Sequence, residues 1–467
     1  MKPKDMCSSL AALSSCLILV ACAPLPPPAP ATDLVPSAWP GQATSSATPL
    51  PGWQDFFTDP ELRRVLGLAL ANSRDLRAAM LRVQEAGAAY DIQRAVRLPV
   101  VNGSVEATRA LVPPAQSPIG RALLGNQFQA GIGMADWELD LWGRLRSLNE
   151  AALESWLATD ATRRAATVSL VAQVADAYLA LRETDERLQL ARRTLASREE
   201  SLRIFRRRWE LGAASRLNLT QVELLRQQAL AQVAQLEQAR AQQHGLLDLL
   251  VGTSVSLAPP AAALGSAPLA RDLEPGLPSA LLLERPDIVA AEHALRAAEA
   301  NVRAARAAFF PRIALTAAAG AASTQLDDLF DRGNRAWRFT PSLAVPIFNG
   351  GRLKGQLAMA RVRDELAVAQ YERAIQAAFR DVADALAARH WLGGQADALG
   401  ATLALQTERA RLARLRYEHG SAAYLEVLDA ERERFGAEQQ LVQLRRQQLS
   451  AQVALYRALG GGASTMD

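Results

Sequence analysis

Two stretches of the chain align without a gap at an offset of 208 residues. "RWELGAASRLNLTQVEL" runs from Arg208 to Leu224, and "RYEHGSAAYLEVLDAER" from Arg416 to Arg432. They share Arg208/Arg416, Glu210/Glu418, Gly212/Gly420, Leu217/Leu425 and Glu223/Glu431. The same offset holds at Gly143/Gly351, Val174/Val382, Asp176/Asp384 and Gly252/Gly460. Upstream the offset becomes 212, pairing Asp75 with Asp287, Arg94 with Arg306 and Pro99 with Pro311. The chain is a duplicated unit, and any fold must use that unit twice.

Proline sets the content of the unit. None occurs between Pro118 and Pro259, and none after Pro346. An interior proline costs a helix about 3 kcal/mol. The two proline-free tracts are rich in Ala, Leu, Gln, Glu and Arg, all strong helix formers. Each reads as a very long helix, a short break and a second helix: 144–211 with 217–251, and 352–418 with 424–459. At about 1.5 Å per residue the longer helices reach roughly 100 Å, which suits a tube or coiled coil better than a globule. Gly212 and Gly420 occupy the breaks, where a tight turn needs positive φ. Gly393-Gly394 interrupts the second long tract and predicts a bend.

Between Pro99 and Gly143, and between Pro311 and Gly351, the pattern changes to alternation. Phe128, Ala130, Ile132 and Met134 fall on one face of a strand at 127–139. Trp337, Phe339, Leu343, Val345 and Ile347 fall on one face of a strand at 337–348, opposite Arg338, Thr340, Ser342 and Ala344. Partner strands are expected at 100–108 and 312–321. A period of two over about ten residues fits a tilted membrane strand, and equally a hairpin packed on soluble protein. Pro341 and Pro346 belong near strand ends or at ladder positions that need no donor. If the strands enter a bilayer, four per chain cannot close a barrel, because closure takes roughly eight or more. Open edges are not tolerated in lipid, so several chains must share one barrel.

The N-terminus carries an address. Lys2 and Lys4 precede an apolar run at 8–21, too short to span a membrane, so residues 1–21 read as a signal peptide. It ends in Leu19-Val20-Ala21-Cys22, which resembles a bacterial lipobox; that likeness implies cleavage before Cys22 and covalent lipid on it. Ala23, in place of an aspartate, favours the outer membrane on the same likeness. Cys7 and Cys16 leave with the signal, so no internal disulfide remains possible. Residues 22–51 are rich in Pro, Ser, Thr and Ala and read as a tether. The expected organisation continues with a first repeat at 52–252, a linker at 253–285, a second repeat at 286–460 and a tail at 461–467. No apolar run long enough for a transmembrane helix follows Cys22. A formal charge of +4 is too mild to argue for nucleic acid. The four histidines lack metal-binding spacing, and neither a phosphate loop nor a G-x-S-x-G elbow occurs, so an enzyme is not expected and no cofactor is implied.

"WQDFFTDPELRRVLGLALANSRDL" (53–76), "GLPSALLLERPDIVAAEHALRAA" (276–298), "VPIFNGGRLKGQ" (345–356) and the stretch at 416–432 occur in order on this duplication. Together they resemble the outer membrane factor family, the TolC-like exit ducts, and more closely its lipoprotein branch in multidrug efflux. The resemblance covers essentially all of the chain after Cys22. It implies a mainly α fold with a membrane β part, in which long helical hairpins form a periplasmic barrel in a homotrimer. Four strands per chain would contribute to a shared 12-stranded transmembrane β-barrel. It also implies an adaptor protein, an inner-membrane pump of the resistance-nodulation-division type, contact with outer membrane lipid, and passive conduction of small toxic compounds. Matching "GSAAYLEVLDA" to the family places Glu426 and Asp429 at a periplasmic gate, three residues apart on one helix face. Gly212, Ala213, Gly420 and Ser421 become tip turns and adaptor contacts. Ala422 stands where the family pattern has a basic residue. A protein-secretion duct and a periplasmic coiled-coil lipoprotein are the competing readings. The second would have one hairpin and more β structure than this chain offers.

Overall fold

The computed structural model describes residues 50–258, 263–265, 273 and 285–462. Cys22, the signal segment, the tether up to residue 49, the tail after residue 462 and much of 253–285 lie outside the described residues.

The first repeat opens with three helices, α1 (Trp53–Phe56), α2 (Pro60–Asn72) and α3 (Arg74–Ala95). Strands β1 (Val101–Val112) and β2 (Leu123–Leu139) follow, then α4 (Arg144–Glu210) and α5 (Arg216–Val251). The second repeat supplies α6 (Pro286–Ala307), β3 (Arg312–Ser323), β4 (Arg335–Ala344), α7 (Arg352–Glu418) and α8 (Tyr424–Ala458). The four helices of the long hairpins fall within a residue or so of the expected bounds. Helix α7 runs unbroken through Gly393-Gly394, so the expected interruption is absent. Two glycines cost helical stability, but a 67-residue helix packed along its length absorbs that.

The strands form one antiparallel sheet in the order β1-β2-β3-β4. Strands β1 and β2 reach further than their alternation predicted, because the ladder continues through Arg109↔Asn126 to Val112↔Leu123. Strand β4 is shorter and ends at Ala344, leaving Pro346, Val345 and Ile347 beyond it. Pro341 sits within β4, which is an edge of the sheet, where a missing donor is tolerated. The register puts Val101, Val105 and Ala107 beside Met134, Ala130 and Phe128. It continues that face through Ala317, Ala319 and Ala321 to Phe339 and Trp337. The opposite face carries Asn102, Ser104, Glu106 and Thr108, with Gln127, Gln129, Arg338 and Thr340. One face is thus apolar yet open, with Trp337 81% and Val105 82% exposed, and the other is polar. That is the pattern of a barrel wall with lipid outside and water within. Asp136 has a φ of 55° where the register of β2 shifts between Met134 and Trp137. This bulge bends the strand locally and increases its twist.

Strand-to-helix corners are built alike in both repeats. Gly143 and Gly351 take left-handed conformations before α4 and α7. The Asp140 carboxylate accepts from the N–H groups of Leu145 (3.0 Å) and Arg146 (2.6 Å), and Asn349 accepts from Leu353 (3.3 Å). These bonds satisfy donors that a helix start leaves open. Glu138 receives Arg144 (2.7 Å) and Arg312 (2.9 Å), tying β2 and β3 to α4. Trp142 stacks on Phe310 and donates to the Pro311 carbonyl at 2.7 Å.

The main core is a belt midway along the long helices. Residues within 170–181 of α4 and 375–386 of α7 meet Phe56, Leu62, Val65 and Leu66 from the short helices, with Leu247, Val251, Leu455 and Tyr456. Tyr456 stacks on Phe56 at 4.2 Å, and Tyr178 donates to Asp59 at 2.9 Å. Burial pushes the Tyr178 phenol up to about 12, so this donor stays protonated. Above the belt the helices lie side by side as α3-α4-α6-α7; below it the order is α5-α4-α8-α7. Each protomer therefore has two unmatched edges, α7 with β4 on one side and α3, α5 with β1 on the other.

The belt also explains the segment around "ERPDI". Arg285 is 8% exposed and precedes α6. Its guanidinium donates to Asp287 (2.6 and 2.9 Å), to Asp381 (3.3 Å) and to the carbonyl of Ala458 (3.1 Å). One side chain so joins α6, α7 and α8.

Candidate functional site: the helical tips

The two long hairpins end in the same turn. Gly212 and Gly420 each have a φ of 74°. Gly212 N–H donates to Trp209 (2.9 Å) and Ala213 N–H to Arg208 (2.7 Å); Gly420 and Ser421 donate likewise to Tyr417 (2.9 Å) and Arg416 (2.8 Å). This double closure is the Schellman arrangement, and it satisfies carbonyls at the helix end. The repeats differ in the next cap. Ser215 Oγ accepts from Asn218 at 3.2 Å, whereas Ala423 begins α8 without a side-chain bond.

The structure places Glu426 and Asp429 on the first turns of α8, beside that turn. Arg416 donates to Glu426 at 2.5 Å across the hairpin. Asp429 receives Arg409 from α7 at 2.7 Å and Arg432 from its own helix at 2.7 Å. Glu426 and Asp429 side chains remain 40% and 38% exposed. Both carboxylates are neutralised within one protomer, and no basic residue at position 422 is needed. The arginine partners escaped the sequence reading, although a signal existed. Once Gly420 fixes the turn, residues equidistant from it must face one another, and Arg416/Glu426 and Arg409/Asp429 nearly satisfy that rule.

The first hairpin packs against the second here. Tyr424 shares a hydrogen bond with Ser201 at 2.7 Å and lies 4.5 Å from the Phe205 ring. Burial pushes the Tyr424 phenol up, which keeps a neutral hydroxyl in this contact. Arg208 donates to Tyr417 Oη at 2.5 Å, and Arg198, 4% exposed, pairs with Glu431 at 3.0 Å. Phe205, Leu219 and Val222 close on Leu428. Residues of the first copy therefore support the start of α8, which carries the carboxylates. Gly212, Ala213, Gly420 and Ser421 are all exposed at the extreme end.

The family model described as "Outer membrane efflux protein" matches residues 65–253 and 277–461. The chain is similar to the toluene efflux pump outer membrane protein TtgF of Pseudomonas putida, with 46% identity over 410 residues, 88% of this chain and 85% of that protein. It is similar to outer membrane protein OprJ of Pseudomonas aeruginosa, with 41% identity over 461 residues, 97% of this chain and 95% of that protein. Among solved structures, the open state of the MtrE outer membrane channel of Neisseria gonorrhoeae superimposes with a TM-score of 0.84. That pair shares 36% identity, covering 95% of this chain and 99% of MtrE. Duplicated hairpins, a four-stranded sheet with one open apolar face, and these likenesses agree: the chain belongs to the outer membrane efflux protein family and is an exit duct whose barrel crosses the outer membrane.

Proposed function

We propose that this duct serves a tripartite pump for small lipophilic compounds, through a periplasmic adaptor and a resistance-nodulation-division pump. Support comes from the relative whose name specifies toluene. The tip adds to it, since its described residues form turns and ion pairs and not a pocket shaped for one solute. Removing the protein from its host should raise susceptibility to lipophilic drugs and solvents several-fold. Unchanged susceptibility, in a host with no second duct, would count against the efflux reading.

The tip is the gate in this reading. The observation that carries it is the set of pairs Arg416–Glu426 and Arg409–Asp429–Arg432, which a homotrimer would repeat three times around its axis. Exposed ion pairs contribute at most about 1 kcal/mol each. A closure built from them opens at small cost when an adaptor grips the turns at Gly212, Ala213, Gly420 and Ser421. Replacing both carboxylates, Glu426→Ala with Asp429→Ala, should raise conductance several-fold. It leaves Arg416 and Arg409 of each protomer without a carboxylate, while Arg432 keeps Glu433, so cation selectivity should fall. Conductance and selectivity both equal to those of the unaltered channel would remove these residues from the gate.

The anchor is the third element. Cys22 carries lipid and fixes the chain to the inner leaflet, supported by the lipobox sequence. Cys22→Ser should abolish metabolic labelling with palmitate; labelling that persists would sink the assignment.

A further inference from the structure

The apolar face of the sheet contains two arginines. Arg109 follows Val105 and Ala107 on that face of β1, near the loop end. Arg335 opens β4 and pairs with Ala321, on the face that continues through Trp337 and Phe339. Both are exposed, and neither makes an ion pair or side-chain hydrogen bond among the described residues. Most other arginines on this chain's helices are tied to carboxylates, as at Arg144, Arg203, Arg411 and Arg416. Unpartnered arginine on a lipid-facing wall is disfavoured in the hydrocarbon and tolerated only at its rim. Trp337 marks that rim: tryptophan gathers at the boundary between acyl chains and headgroups, and Arg335 lies one same-face position outside it.

The topology adds a second constraint. Strands β1 and β4 are the two edges of the sheet. When protomers close a barrel, β4 of one lies beside β1 of the next, about 4.8 Å away. Arg335 and the neighbour's Arg109 then stand on adjacent strands, on the same face and at the same end. The acidic residues nearest Arg335 in sequence are Asp327, Asp328 and Asp331 in the β3–β4 loop, and none is paired with either arginine among the described residues. Glu106 and Arg338 point to the opposite face.

We propose that Arg109 and Arg335 form, at each of the three seams between protomers, a binding site for the phosphate groups of anionic lipid in the outer leaflet. Two guanidinium forks suit phosphate oxygens in a way that two point charges would not. Position outside the tryptophan rim commits the site to a lipid headgroup, with acyl chains descending over Phe339, Ala319 and Val105. The bound lipid bridges two protomers and so reinforces the seam. The site rests on the shared barrel, because a single protomer holds its two halves on opposite edges.

The test is binding of a fluorescent diphosphoryl lipid A to the purified trimer in neutral detergent. The unaltered trimer should bind saturably, and R109Q with R335Q should weaken binding about tenfold or more, as expected for lost charge-assisted bonds. Dephosphorylated lipid A should bind both proteins equally and weakly. The pair R109K with R335K keeps the charge and preserves assembly even if the glutamine pair does not; it should bind several-fold more weakly because it lacks the forks. Affinity unchanged in both variant pairs would overturn the proposal. Displacement of the lipid by millimolar inorganic phosphate would identify a free-anion site instead and overturn it too. Conductance of the same samples in planar bilayers reads the barrel separately, so a conducting trimer without lipid affinity faults the site alone.

Discussion

Replacing Arg285 by alanine is expected to lower the melting temperature and the yield of the assembled channel markedly. The guanidinium is almost fully buried and holds Asp287, Asp381 and the Ala458 carbonyl together. Truncation leaves the Ala458 carbonyl without this donor, leaves Asp381 with Arg380 alone, and leaves Asp287, 43% exposed, to solvent. Losing hydrogen bonds to a charged group costs about 1.5–3 kcal/mol, an appreciable part of the stability of an ordinary domain. The loss would fall where α6, α7 and α8 meet, so the second repeat would lose its alignment with the first. Arg285→Lys should rescue little, since an ammonium cannot reach three acceptors in one plane. Trimer yield in outer membrane fractions and the melting temperature of purified protein check this. Melting within a degree or two of the unaltered protein would show that the belt does not depend on Arg285.

Gly320→Val is the second change with a large expected effect. Gly320 pairs directly with Gly131 at the centre of the sheet. A Cβ on Gly320 would collide with the Ala130 carbonyl oxygen and come within 2.6 Å of the Gly131 Cα. A Cβ on Gly131 would lie 2.7 Å from the Ala319 carbonyl oxygen. These are backbone atoms, which cannot swing aside as a flexible side chain can. Overpacking of this kind costs about 1–3 kcal/mol per site, and the barrel repeats it in three protomers. The trimer should dissociate at a markedly lower temperature on unheated-to-boiled gel series. Gly103→Val is the matched control, because a Cβ there meets nothing within 4 Å in its own protomer. Equal dissociation temperatures for the two variants would refute the close-approach argument.

The hairpins were legible in the sequence because proline is absent where it would break them and glycine stands where the chain must turn. Gly143, Gly212, Gly351 and Gly420 all take positive φ, and each bounds a long helix. Strand ends were less legible, since ladder bonds run on through Leu111 and Leu124 regardless of alternation. Nothing in the sequence marked the bulge at Asp136. The position of Glu426 and Asp429 beside the tip turn was legible through the family resemblance, but their arginine partners required the hairpin register. Arg285 stood inside a quoted motif without a role, because its acceptors on α7 and α8 lie 96 and 173 residues away. Contacts of that range leave no local pattern. The unpaired arginines of the sheet face became visible only when the register assigned each strand residue to a side.

Single-channel recording of the purified protein in planar bilayers, with the oligomeric mass determined on the same fraction, tests the exit duct most directly. A barrel shared between chains, in the trimer that the family implies, predicts discrete current steps of uniform size, and no steps from a monomeric fraction. A particle that remains monomeric, or a trimer that never conducts even after its tips are opened by the Glu426→Ala and Asp429→Ala changes, would contradict it.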